Sequence, residues 1–269
     1  MKLQTVVDIK PSEWKIGYED KILMLGSCFS DEIGEQMKQR YMNVVCNPFG
    51  TLYNPLSIAQ AISLQPSEVR FQFHEGLWHS MAHHGSFSRR TKEEAEAVVR
   101  DSIDAMQTAL READVIIVTF GTAWIYEMDG KIVSNCHKMP ESSFMRRRLS
   151  MEEIVAAWKP ILERYPDKHW LFTVSPIRHI KDGLHENQLS KATLLQAVEQ
   201  LGDYFPSYEI MLDELRDYRF YADDLVHPSS MAVNYIWERF CETFFSLQTR
   251  NELILAHKRW QFEHHRPLH

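Results

Sequence analysis

The chain has 269 residues, 44% hydrophobic and 25% charged, enough apolar material for a core that needs no disulfide or metal staples and far from a disordered composition. Lys and Arg (30) against Asp and Glu (37) give a net charge of -7, a field that repels phosphate backbones and anionic lipid, so neither nucleic acid nor a membrane is expected as a partner. Cys28, Cys46, Cys136 and Cys241 form no CxxC pair and read as free thiols. The opening MKLQTVVDIK has no leader-like apolar stretch, and no window reaches the ~18 apolar residues of a membrane span, so the cytoplasm is the expected location.

The first element is KILML at 21–25, a short apolar run that ends at Gly26 and leads into helical periodicity through Ile33 and Met37. MNVVC at 42–46 reads as a second strand, and Pro55 opens a helix from its favoured first position. Residues 67–90 carry a His74-Glu75-Gly76 turn and read as an inserted hairpin. An amphipathic helix at 91–109 feeds DVIIVTF at 114–120, apolar enough to be buried on both faces. WIYEMDGKIVSN follows as a hairpin closed by Asp129-Gly130, a pair suited to a type I′ turn, within a second insertion at 124–148. The Arg146-Arg147-Arg148 run reads as a solvated loop leading into a helix at 151–165. HWLFTVS at 169–175 is a strand, 188–201 a helix, SYEIML at 207–212 a fifth strand and 228–245 a helix, with a terminal helix after Arg250. Strands alternating with helices imply right-handed crossovers. The expected fold is therefore one α/β domain over 1–269, a three-layer sandwich around a five-stranded parallel, flavodoxin-like sheet, with hairpin insertions and a C-terminal helix.

In such a sheet ligands sit beyond the carboxyl ends of the strands. Those ends carry Gly26-Ser27-Cys28, then Asn47-Pro48-Phe49-Gly50, Gly121-Thr122-Ala123-Trp124, Ser175-Pro176-Ile177-Arg178-His179 and finally Asp224-Leu225-Val226-His227. Three residues apart ahead of a helix, Asp224 can orient the His227 ring while the other ring nitrogen faces a nucleophile; the plain alternative is a capping Asp beside a surface His. Cys28 stands at a strand-to-helix turn, where the helix N-terminus favours a thiolate, or else is a small buried apolar residue. Ser27 could attack in its place or merely cap the helix. No GxGxxG, GxxxxGK[ST] or GxSxG motif occurs, and His83-His84 and Cys136-His137 lack zinc-site spacing, so no cofactor or metal is expected.

ILMLGSCFSDEIG resembles the first block of the SGNH (GDSL-type) esterases, and its GSCF wording is similar to the GSCFA family placed within that superfamily. VVCNPFGTLYNP, TFGTAWIYE and DDLVHPS resemble the second, third and last blocks, and NCHKMP and SPIRHIKDGLHENQLSKATLL are similar to GSCFA signatures. The resemblance implies a nucleophile at Cys28 or Ser27, the pair Asp224 and His227, and an oxyanion donor at Gly50. The third-block asparagine, a second oxyanion donor, is missing, since Ala123 or Trp124 stands in its place; the amides of Asn47, Asn54 and Asn135 are candidate replacements.

The implied activity is ester hydrolysis or O-acyl transfer through a covalent acyl-enzyme, on a small-molecule or saccharide ester. Tyr53, Asn54, Trp124, Arg178 and His179 are the expected substrate contacts, with Phe49, Tyr53, Trp78, Phe87 and Trp124 offered for an aromatic platform. The competing expectation is an SGNH-fold module that binds saccharide but has lost the chemistry, and a thiol-redox role for Cys28 stands third.

Overall fold

A computed structural model describes residues 4–264. Its centre is a parallel sheet of β1 (Ile22–Gly26), β2 (Val44–Cys46), β5 (Val115–Phe120), β9 (His169–Val174) and β10 (Asp203–Phe205), in the order β10-β9-β5-β1-β2. Chain reversal occurs between β1 and β5, where successive crossovers run to opposite sides and open a crevice at the carboxyl edge. The insertions form separate antiparallel pieces. One is the hairpin β3 (Phe71–His74) and β4 (Leu77–Ser80); the other is the sheet of β6 (Trp124–Met128), β7 (Lys131–Val133) and β8 (Met145–Arg148), ordered β7-β6-β8. Asp129 and Gly130, with φ of 54° and 70°, make the expected turn between β6 and β7.

Helices cover both faces, so the central strands are largely apolar and their two-residue period divides one run between two cores. Leu23 and Leu25 of β1 face α2 (Pro55–Ser63), α3 (Lys92–Glu112), α4 (Met151–Arg164) and α5 (Leu184–Val198), through Ile58, Ile103, Trp158 and Leu194. Ile22 and Met24 face α1 (Cys28–Lys38) and α7 (Ser230–Phe244), through Phe29, Ile33, Ile236 and Phe240. Fully burying one such side chain stabilises by about 1.5–3 kcal/mol, which fixes the register of the strands beneath. The helix starts are set by side chains: Ser27, Asn54, Thr91 and Ser150 each accept from a first-turn amide, the last two in capping boxes with Glu94 and Glu153.

Three expectations need correction. The fifth strand is 203–205, and residues 207–212 instead coil into the short α6 (Ser207–Glu209) and a π-helical turn, Ile210–Glu214. An apolar run of that length does not separate strand from helix, and here Ser207 pins the turn by bonding Val174 O at 2.8 Å and Thr173 at 2.6 Å. Arg146, Arg147 and Arg148 form β8, each paired with a carboxylate: Asp182, then Glu127 and Glu153, then Glu186. Helix α5 starts at Leu184, four residues before the expected Gln188. The last helix, α8 (Leu247–His264), docks Leu253 into the second core and leaves Leu255 and Phe262 exposed. Among the described residues no helix is long and apolar enough to cross a membrane.

Candidate active site

The turn after β1 is held so close to β5 that a Cβ on Gly26 would lie 2.1 Å from Thr119 O, at a φ of 129°. Only glycine fits there. Asn47 locks the turn from the neighbouring strand end, its Oδ1 accepting from Gly26 N at 2.8 Å and its Nδ2 donating to Asp31 at 2.9 Å. Ser27 caps α1 with its side chain wholly buried, Oγ accepting from Phe29 N at 3.3 Å. Cys28 is the first helical residue. Burial raises its thiol above the ordinary range, assisted by Asp31 and Glu32 and opposed by the amides of Cys28 and Phe29. At rest the thiol is neutral.

His227 stands on another wall of the same crevice. Asp224 Oδ1 accepts from Val226 N at 2.9 Å and His227 N at 3.0 Å, which curls residues 224–227 into a tight turn, while Oδ2 meets His227 Nδ1 at 2.6 Å. The two backbone hydrogen bonds and then the imidazole hold the Asp224 carboxyl down to about 2. Arg178 fastens this turn to the loop after β9: its amide donates to Val226 O at 3.2 Å, its guanidinium to Leu225 O, and the guanidinium lies 4.3 Å from the Tyr221 ring centre.

Cys28 and His227 line one cavity of about 440 Å³, together with Tyr53, Asn54, Trp124, Arg178 and His179. Seven of the expected site residues thus meet, with Asp224 behind the imidazole. Three others do not reach it. Asn47 is spent on Gly26 and Asp31; Gly50 N–H donates to Asn47 O at 2.7 Å in a turn; Asn135 accepts from His137 N at 2.8 Å. Asn54 lines the cavity but gives its amide to the cap of α2, through Ser57 N at 2.8 Å and Ser57 Oγ at 3.0 Å. Of the proposed aromatic platform, Tyr53 and Trp124 face the cavity, the latter with the Arg146 guanidinium 4.3 Å from its ring centre. Phe49 is buried against His83, Phe87 also packs on His83, and Trp78 pairs with Phe73.

One residue escaped the reading of the sequence. Lys191 of α5 is completely buried and donates to Gly121 O at 2.7 Å and Ser175 O at 2.8 Å, tying together the turns after β5 and β9. Burial pushes it down to about 7. The signal was present: Asn187, Ser190, Lys191, Leu194 and Val198 share the buried face of α5 at helical spacing.

The GSCFA family model matches residues 21–240, from the start of β1 into α7 and across every side chain that lines this cavity. The chain belongs to the GSCFA family. No curated protein matches it. Gly26-Ser27-Cys28-Phe29-Ser30, which matches four of the five letters of the family's name, spans the end of β1 and the first turn of α1, with its cysteine on the cavity wall. Among the described residues of this GSCFA chain, no group of three or more His, Cys, Asp or Glu is placed to hold a metal ion.

Proposed function

We propose that this GSCFA protein is an SGNH-type esterase or O-acyltransferase that works through a thioester on Cys28. His227 takes the thiol proton on Nε2 as the sulfur attacks the ester carbonyl, and the carbonyl electron pair moves onto oxygen. Collapse of this tetrahedral species expels the alcohol, which leaves with the proton from His227. Water, or an acceptor hydroxyl, then attacks the thioester with His227 again as base, releasing the acid or a new ester and restoring Cys28. Asp224 keeps Nδ1–H occupied, so Nε2 is the nitrogen free to accept.

The observation that carries the reading is a nucleophile and an oriented imidazole lining the same crevice, from opposite ends of the matched region. Cys28 is favoured over Ser27 because the serine hydroxyl is buried and engaged as a cap. Tyr53 and Trp124 on the cavity wall support an O-acylated saccharide as substrate, their faces suited to the apolar face of a sugar ring.

The test is turnover of p-nitrophenyl acetate and an acetylated monosaccharide by wild type and by the Cys28→Ala, His227→Ala and Ser27→Ala variants, with mass spectrometry of the acyl-enzyme. Cys28→Ala and His227→Ala should abolish the adduct. Ser27→Ala should keep it and lose only about 1 kcal/mol of stability with its cap. Full turnover by Cys28→Ala would end the proposal. A second reading, a saccharide-binding module without turnover, draws on the diversion of Gly50, Asn47 and Asn135 from the cavity; it predicts saccharide binding with no adduct on Cys28.

A further inference from the structure

An oxyanion needs donors held ready before it forms, and a helix N-terminus supplies only part of the set. The Cys28 amide opens α1 beside its own sulfur. The side-chain amides of Asn47 and Asn54 are committed elsewhere, and Asn135 does not line the cavity. His179 supplies what they do not: it lines the cavity with Cys28 and His227, and its Nε2 is buried and has no hydrogen-bond partner among the described residues. Such groups are rare in folded proteins and require a reason.

The position of that nitrogen gives one. A Cβ built on Gly121 would lie 3.4 Å from His179 Nε2, 3.5 Å from Ser27 Cβ and 2.9 Å from Tyr53 O. The ring nitrogen and the turn that carries Cys28 therefore close on the same side of Gly121, where a side chain larger than hydrogen would not fit. The residue is fixed on two sides: its amide donates to the buried Asn187 Oδ1 at 2.9 Å, and its ring meets that of Tyr53 edge-on at 6.0 Å. Its charge state suits a donor. Burial, with Lys191 and His227 nearby, pushes His179 down to about 3, so it stays a neutral imidazole and cannot compete with His227 for the thiol proton.

We propose that His179, carrying its proton on Nε2, is the side-chain oxyanion donor of this site, standing in for the asparagine that the sequence lacks. The inference rests on the acyl-transfer reading above. As the bond from Cys28 Sγ to the ester carbon forms, the oxygen gains the electron pair and accepts the Nε2–H hydrogen bond. His179 keeps its proton throughout. Collapse restores the carbonyl and breaks that bond, while the alcohol takes its proton from His227.

Two reactions of Cys28 separate this role from others. Attack on p-nitrophenyl acetate passes through an oxyanion, whereas displacement of iodide from iodoacetamide does not, although both need the thiolate. His179→Ala should lower kcat/KM for the ester by roughly 100- to 1,000-fold, the usual loss for one oxyanion donor, with the fall in kcat rather than in KM. Its iodoacetamide rate and thermal midpoint should stay at wild-type values. His179→Gln, which restores an N–H donor, should recover part of the ester rate. Equal slowing of both reactions, or ester turnover that His179→Ala leaves intact, would overturn the assignment. A wild-type protein that alkylates at Cys28 yet forms no adduct with either ester would fail at the underlying reading instead.

Discussion

Asp224 makes three hydrogen bonds with two oxygens, and in the proposed mechanism only the one to the His227 ring bears on the chemistry. Asp224→Asn can still accept from the amides of Val226 and His227 through Oδ1, so the turn should persist. An amide nitrogen facing His227 Nδ1, however, donates where the carboxylate accepted, which forces the ring proton onto Nε2 and removes the base. The expected outcome is an unchanged fold with acylation slowed by up to roughly 10,000-fold, checked by single-turnover kinetics and circular dichroism. Asp224 stays ionised down to about 2, so its own protonation should not shape the pH profile above that range. Cys28 supplies the complementary test: burial raises its thiol, so in His227→Ala less thiolate exists at neutral pH and iodoacetamide labelling should climb only in strongly alkaline buffer. Labelling as fast at neutral pH as in wild type would show that His227 does not serve the thiol. The spacing of Asp224 and His227 was legible because a three-residue separation fixes a local geometry. That Cys28 lines the cavity while Ser27 is buried as a cap was not legible, because tertiary contacts decide which way adjacent residues at a helix start turn.

At the level of elements, the sheet was readable wherever an apolar run met a turn residue, as at Gly26 or Asp129-Gly130, and unreadable where a tertiary hydrogen bond decided. Residues 207–212 satisfy a strand pattern on their own, and the bonds from Ser207 to Val174 and Thr173 make them helical. The same limit hid Lys191, a cation on the buried face of α5 whose partners are carbonyls from two distant turns. Those two acceptors match the two N–H bonds of a neutral amine, consistent with its lowered affinity for a proton. Lys191→Met should therefore orphan both carbonyls at about 1–3 kcal/mol each, seen as a lower urea midpoint. It should also lower kcat/KM, because the turns it ties carry Thr122 and His179 of the cavity wall. Stability within a few tenths of a kcal/mol of wild type would mean that the carbonyls find other donors and that α5 does not brace the site.

The whole molecule joins its insertions to the central domain through histidines that burial keeps uncharged. His83 bridges Ser80 at the end of β4 to Ser102 in α3, at 2.7 Å and 2.8 Å, and is fully enclosed. His137 hydrogen-bonds Ser80 O at 2.8 Å and stacks on His79 at 4.5 Å. Burial pushes His83 down to about 3 and His137 down to about 4, each further disfavoured by a neighbouring imidazole. An unfolded histidine titrates near ~6.5, so below that pH the unfolded chain binds protons that the folded one refuses, and stability falls with pH by roughly 1.4 kcal/mol per unit for each such imidazole. Between about pH 6.5 and pH 4 the protein should lose several kcal/mol, a large part of the ~5–15 kcal/mol typical of a folded domain. Urea titrations across this interval should show the midpoint dropping steadily. His83→Gln, which can still donate and accept toward the two serines, should lower stability at neutral pH yet reduce the slope by up to one proton's worth. A midpoint that holds level from about pH 6.5 to pH 4.5 would mean that these rings take up protons in the folded state. In that case the insertions would not be fastened to α3 by neutral imidazoles.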